Sequence, residues 1–169
     1  MNLVLIGMPG CGKTTLAKEL QREMGWEMMD TDEMVVRWTG RRIADLFSIS
    51  EERFRQEETK TLKRIMSLYD KKIIATGGGV VERRKNREIL HKGGFVVFIH
   101  RELDEIKSLI NYSRRPLLKE GREQALEELY QRRLPLYRDF CHMEVAMDRT
   151  IFQMARYLKE ELKRKEIGL

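Results

Sequence analysis

Gly7-Met8-Pro9-Gly10-Cys11-Gly12-Lys13-Thr14 stands between an apolar run, Leu3 to Ile6, and a stretch whose Ala17, Leu20 and Met24 recur on one helical face. The octet matches G-x-x-x-x-G-K-[ST] in full, in the strand-turn-helix setting that gives the pattern its meaning. Glycines let successive backbone N–H groups close around an anion, and the N-terminus of the following helix, about Thr14 to Met24, adds positive partial charge. Lys13 can reach the β- and γ-phosphates of a nucleotide, and the Thr14 hydroxyl can ligate Mg²⁺. Cys11 fills a variable position of the loop; its thiol needs no catalytic role and is a candidate for alkylation.

Outward from this loop, apolar runs of strand length alternate with helical patterns along the chain, the signature of a parallel sheet covered by crossover helices. Trp26 to Met29 reads as a second strand ending in Asp30-Thr31-Asp32, with Asp32 a candidate cap for a helix stopped near Gly40. Ile43 to Phe47 is a short helical piece, and Ser48 with Glu51 suits a capping box opening a helix to about Tyr69. A third strand, Ile73 to Thr76, breaks at Gly77-Gly78-Gly79. A helix near Glu82 to His91, the strand Phe95 to Ile99 and a helix near Asp104 to Tyr112 follow. Ser113 to Arg122 has the content of a mobile loop, and the helix from about Glu123 is expected to end at Pro135, which disfavours helix at the residue before it. Met143 to Val145 is the last strand and Ile151 to Lys165 the last helix. The expected fold is α/β, with five parallel strands and right-handed crossovers, in an order the sequence leaves open.

With 169 residues, 41% hydrophobic and 36% charged, the chain suits one globular domain over 1–169. No apolar run approaches the roughly 20 residues of a membrane span, and Met1 to Ile6 leads straight into the glycine turn without a signal-peptide pattern, so the expectation is a cytoplasmic protein without a membrane partner. Cys11 and Cys141 lack metal-type spacing and are expected as reduced thiols. The net charge of +6 is interleaved with acids, as in Glu160-Glu161-Leu162-Lys163-Arg164-Lys165, which points to solvated helix faces and anionic small substrates rather than to nucleic acid. Nothing calls for more than a monomer.

The loop identifies a phosphoryl donor but not an acceptor. There is no Asn-Lys-x-Asp guanine motif and no room for a motor's extra elements, which leaves a small-molecule kinase as the leading class. Asp30 and Asp32 stand at a strand's carboxyl end, where ligands of open α/β sheets gather. Asp30 suits the water shell of Mg²⁺ and Asp32 a hydrogen bond from an attacking hydroxyl, although both also suit turn and capping roles. Gly77-Gly78-Gly79 occupies a strand end where many P-loop proteins carry a Walker-B Asp; it permits close backbone approach to an anion and equally fits a plain flexible turn. Arg55 and Glu58 meet on one helix face, as a held guanidinium or as an exposed ion pair. Arg133 is anonymous in isolation. Arg115, before Pro116, is a lid arginine or a solvated loop residue.

Taken together, Gly7 to Thr14, Asp30-Thr31-Asp32, Thr39-Gly40-Arg41 with Ile43 to Phe47, Phe54-Arg55 with Glu58, Thr76 to Gly79, Arg115-Pro116-Leu117-Leu118 and Arg133 to Tyr137 resemble the shikimate kinase family over nearly the whole chain. The resemblance implies a nucleoside-monophosphate-kinase-like three-layer sandwich, an acceptor-binding helical region over about 32–60 and a mobile lid over about 112–123. It implies ATP at Gly10, Cys11, Gly12, Lys13, Thr14 and Thr15, closed over by Arg115, with one Mg²⁺ held by Thr14 and, through water, Asp30. Shikimate would bind through Asp32, Arg55, Gly77, Gly78, Gly79 and Arg133, with Glu58 supporting Arg55. Asp32 would be the base on the 3-hydroxyl, assisted by Lys13 and Arg115, yielding shikimate 3-phosphate and ADP in aromatic amino-acid biosynthesis. Ser108 to Asn111 depart from the family in lacking a further basic residue for the nucleotide, which turns attention to Arg149 for the purine side. A gluconate or nucleotide kinase would keep the loop without the rest of the series, and an ATP-dependent switch or RNA-binding module would need no carboxylate beside it.

Overall fold

The computed structural model describes residues 1–109 and 119–167. Five strands form one parallel sheet in the order β2-β3-β1-β4-β5. They are β1 (Asn2–Ile6), β2 (Met28–Asp30), β3 (Ile73–Ala75), β4 (Gly94–His100) and β5 (Met143–Ala146). Every residue of β1 is buried, as expected for a central strand covered on both faces. The pairings Leu3 with Ile73 and Leu3 with Phe95 bring the two neighbouring strands into register around it.

The connecting helices are α1 (Lys13–Met24), α2 (Thr31–Thr39), α3 (Ile43–Ile49), α4 (Glu51–Leu68), α5 (Arg84–Gly93), α6 (Leu103–Leu109, within the described residues), α7 (Lys119–Phe140) and α8 (Ile151–Arg164). A 3₁₀ turn, Val80–Glu82, precedes α5. Helix α1 packs against α8, while α4 packs against α2, α3 and α5. Apolar faces of the long helices close on the sheet through Leu16 and Leu20, Leu62 and Ile65, and Leu158 and Leu162, all essentially inaccessible. Because all five strands run the same way, their carboxyl ends lie along one edge, and the turns that follow them converge there.

Several local expectations are corrected. Asp30, not Asp32, caps α2: its side chain accepts from the N–H groups of Asp32 and Glu33. Ser50, not Ser48, caps α4, accepting from the N–H of Arg53, because the helix starts immediately behind it. The helix expected to end at Pro135 runs on from Lys119 to Phe140. Pro135 is exposed, while Tyr130, Arg133, Tyr137 and Phe140 are buried on both sides of it. Burial along that face outweighs the missing N–H of one proline. Lys119 to Arg122, expected in a loop, are helical. Cys11 and Cys141 are free, and no described helix is long and apolar enough to cross a membrane.

Candidate active site

The phosphate loop obtains its shape from glycines at positive φ: Gly10 at 78° and Gly12 at 99°. Gly12 is also the N-cap of α1 and offers no side chain to the first turn, so the orphan N–H groups there point to whatever the loop encloses. Gly7 is tight for another reason: a Cβ there would lie 2.7 Å from the Ile99 carbonyl oxygen. The Lys13 ammonium donates to the carbonyls of Gly7 and Met8 at 2.8 and 2.9 Å, spanning the loop that a phosphate would fill. Cys11 is wholly buried, with its sulfur 3.6 Å from Lys13 Nζ. Thr14 and Thr15 follow at the start of α1, Thr15 being exposed.

Across the strand ends, Thr14 Oγ1 donates to Asp30 Oδ2 at 3.2 Å. One Asp30 oxygen is thus held by α2 and the other by the phosphate-loop helix, a pair of hard oxygen donors suited to a Mg²⁺ that keeps water and phosphate as its remaining ligands. No cluster of three or more His, Cys, Asp or Glu side chains able to hold a metal by themselves occurs among the described residues. A hydroxyl and one carboxylate fit a cation shared with a nucleotide and not an all-protein cage.

Asp32 Oδ1 is buried and has no hydrogen-bond partner among the described residues. Burial pushes this carboxyl above its ordinary range, as does the charge of Asp30, against the pull of Lys13 and Arg55. Glu58 is fully inaccessible and is likewise raised by burial, with Arg55 opposing. Arg55 is 7% exposed and donates to Glu58 at 2.9 Å, so the exposed-pair reading gives way to a buried guanidinium held by its own helix. The Phe47 and Phe54 rings lie 5.9 and 5.1 Å from it.

The triple glycine is a packing necessity. A Cβ on Gly77 would meet Asp32 Oδ1 at 2.8 Å and Glu58 Oε1 at 3.2 Å, one on Gly78 would meet the Pro9 ring at 2.6 Å, and one on Gly79 would run into the Arg55 guanidinium. Three consecutive residues are therefore each pressed by a different part of the site. The turn is also tethered, since the Gly77 N–H donates to Thr31 Oγ1 at 3.0 Å, which corrects its reading as a plain flexible turn.

From α7, Arg133 reaches the same turn and donates from Nε to Glu82 Oε1 at 2.6 Å. One helical turn on, the Tyr137 hydroxyl donates to the Gly78 carbonyl at 2.5 Å and lies 3.7 Å from Met8 Sδ. Glu82 is not among the residues that the sequence brings to the site, and Tyr137 enters there only as the end of the Arg133 to Tyr137 stretch. A lone Glu after three glycines carries no local signal, and Tyr137 stands four residues from Arg133 on a helix that Pro135 was expected to have ended. Arg149 follows β5: its guanidinium pairs with Asp148 at 3.3 Å and stacks 4.3 Å from the Tyr157 ring of α8, while Met147, two residues before it, would lie 3.6 Å from a Cβ on Gly12. Arg115 lies outside the described residues, as does the lid expectation before residue 119.

A phosphate cradle that shares a hydroxyl-carboxylate pair with the neighbouring strand end, beside a carboxylate whose buried Oδ1 has no partner among the described residues and which lies near Arg55, makes this a P-loop phosphotransferase. Comparison with known proteins narrows the class. The family model described as shikimate kinase matches residues 9–163. The shikimate kinase of Clostridium botulinum (strain Eklund 17B / Type B) is 40% identical over 158 residues, covering 94% of each chain. That of Clostridium beijerinckii is 38% identical over 158 residues, covering 94% of this chain and 92% of its own. Among solved structures, a shikimate kinase from Acinetobacter baumannii in complex with shikimate superposes with a TM-score of 0.87 at 31% identity, covering 99% of this chain and 95% of its own. The chain belongs to the shikimate kinase family.

Proposed function

We propose that this protein transfers the γ-phosphoryl group of ATP to the 3-hydroxyl of shikimate, giving shikimate 3-phosphate and ADP. The observation that carries this reading is the Asp32 carboxylate, whose Oδ1 is buried without a hydrogen-bond partner among the described residues, with Lys13 of the phosphate loop and Arg55 close by.

The loop N–H groups and Lys13 bind the phosphates, with Lys13 exchanging the Gly7 and Met8 carbonyls for phosphate oxygens. Thr14 and, through water, Asp30 would hold Mg²⁺, which would supply neutralisation of the phosphates' negative charge. Arg55 and Arg133 clamp the acceptor carboxylate by paired hydrogen bonds, and Gly77 to Gly79 close on the ring. Asp32 accepts the hydroxyl proton as the acceptor oxygen bonds to the γ-phosphorus and the bridging bond to the β-phosphate breaks, its electron pair leaving with ADP. A carboxyl raised by burial is a better base for this step than an ordinary one, with Lys13 and Arg55 pulling against the rise. The acceptor region is taken as about residues 32–60, whose α2 and α4 supply Asp32, Arg55 and Glu58.

A substrate panel tests the reading: purified protein with ATP and Mg²⁺ is offered shikimate, gluconate and nucleoside monophosphates, and the phosphorylated product is identified by mass and ³¹P NMR. Product from shikimate alone is expected. Equal or faster turnover of gluconate or a nucleotide would overturn it.

A further inference from the structure

We propose that Glu82 is a positioning residue for the acceptor's carboxylate: it grips Arg133 by the Nε edge of the guanidinium and so presents the Nη edge to the incoming anion. The inference rests on the shikimate reading of the site.

Arg133 is 6% exposed, and its Nε donates to Glu82 Oε1 at 2.6 Å. A guanidinium has a fixed fork of donors, so anchoring Nε leaves the paired Nη groups as the edge on which a planar carboxylate fits. The same Glu82 oxygen takes Nη2 of the exposed Arg132 at 2.8 Å. Burial pushes the Glu82 carboxyl upward, but hydrogen bonds from Arg132 and Arg133 outweigh it and hold it below its usual range, so it stays an anion. Its backbone is pinned as well. The Glu82 N–H donates to the Gly79 carbonyl at 3.0 Å and the Val80 N–H to that of Gly77 at 3.2 Å, while Asn86 Nδ2 donates to the Val80 carbonyl at 2.8 Å. Arg83, next in the chain, pairs with Glu52 at the start of α4. The 3₁₀ turn is therefore a rigid bracket between α4 and α7, the helices that carry Arg55 and Arg133. Each arginine is held by its own carboxylate: Arg55 by Glu58 from the same helix, Arg133 by Glu82 from across the fold. Without this anchor the buried guanidinium keeps the Tyr137 hydroxyl beside it, a neutral contact that does not hold its fork against the pull of other carboxylates.

The test is steady-state kinetics on the full chain and on Glu82→Ala, Glu82→Gln and Glu82→Asp, with KM measured separately for shikimate and ATP and with shikimate methyl ester as a neutral acceptor. Glu82→Ala is expected to raise KM for shikimate roughly tenfold, the scale of one charge-assisted hydrogen bond, with KM for ATP and kcat within about twofold. Glu82→Gln, which keeps an acceptor oxygen for Nε, should return to within about threefold of the parent. For the methyl ester the Ala variant should match the parent. If Glu82→Ala does not fold by circular dichroism, Glu82→Asp, which draws the anchor back by one methylene, should raise KM for shikimate alone. A KM for shikimate that stays put or falls overturns the proposal, because Glu82 would then be inert or a competitor of the substrate. Parallel loss in kcat and both KM values overturns it in favour of a general structural role. Failure of the shikimate reading itself is recognised separately, as absence of shikimate-dependent turnover in the parent protein.

Discussion

Replacing Gly77 by alanine adds one methyl group between two carboxylates. The new Cβ would stand 2.8 Å from Asp32 Oδ1 and 3.2 Å from Glu58 Oε1, where ordinary contact begins near 3.4 Å. Asp32 must retreat by about 0.6 Å, on a scale where a misplacement of about 1 Å costs roughly a hundredfold in rate. Glu58 has less far to go but is fixed to Arg55. The φ of Gly77 is not in the left-handed region, so the backbone accepts alanine and the fold should survive. We expect kcat with shikimate to fall about ten- to hundredfold, KM for ATP to stay within about twofold, and the melting temperature to change little. Continuous ADP release at varied shikimate and ATP, beside a thermal melt, reads all three. A Gly77→Ala protein with parental kcat and KM for shikimate would refute the placement of Asp32 against this turn.

Other parts of the molecule give equally direct tests. Asp30→Asn should keep the α2 cap, since Asn caps as well as Asp, yet raise the Mg²⁺ concentration for half-maximal activity by about tenfold; an unchanged Mg²⁺ titration would remove Asp30 from the metal. Asn86 is fully buried, accepting from Thr59 Oγ1 and donating to the Val80 carbonyl, both at 2.8 Å. Asn86→Leu strands both partners and should cost about 2–4 kcal/mol in urea unfolding, whereas a loss under about 1 kcal/mol would show the bridge to be dispensable. His142 carries a pH signature. Its Nδ1 accepts from the Val96 N–H at 2.9 Å, and partial burial, with His91 and Arg87 nearby, lowers its pKa from the ordinary 6.5. The folded protein thus binds this proton less readily than the unfolded chain, so the contribution is fully present above about pH 6.5 and is lost as pH falls toward the folded value. Urea midpoints should drop between pH 7.5 and 5, and His142→Gln, whose amide oxygen can take the Val96 N–H, should drop less; an identical pH dependence in the two would contradict this role.

Much of the site was legible because its chemistry is written locally. The loop from Gly7 to Thr14 is contiguous, and strand-helix alternation made the sheet parallel, which alone sends Asp30, Asp32 and the Gly77 turn to one edge. Strand order was not legible, since no residue of β3 records that it inserts between β2 and β1. Caps slipped by two residues at Ser48 and Asp32 because several Ser and Asp in each stretch satisfy the same rule and only the helix start chooses among them. The run of α7 through Pro135 was not legible, since a proline's local preference stands in the sequence and the buried face on both sides of it does not. Long-range partners were the least visible: Glu82 meets Arg133 51 residues away and Tyr137 meets Gly78 59 residues away, and nothing in either neighbourhood announces its partner. The three glycines announced close packing but not against what, and the answer, a carboxylate pair, a proline and a guanidinium, is itself the architecture of the site.

Whether Asp32 serves the acceptor hydroxyl is read from ADP release by the purified protein with ATP and Mg²⁺, with and without shikimate, beside Asp32→Asn checked for fold by circular dichroism. Shikimate-dependent turnover in the parent, reduced about a hundredfold or more in a folded Asp32→Asn protein with KM for ATP preserved, is the predicted result. Parental turnover in Asp32→Asn, or a parent whose ADP release ignores shikimate, would contradict the assignment of this carboxylate to the acceptor hydroxyl.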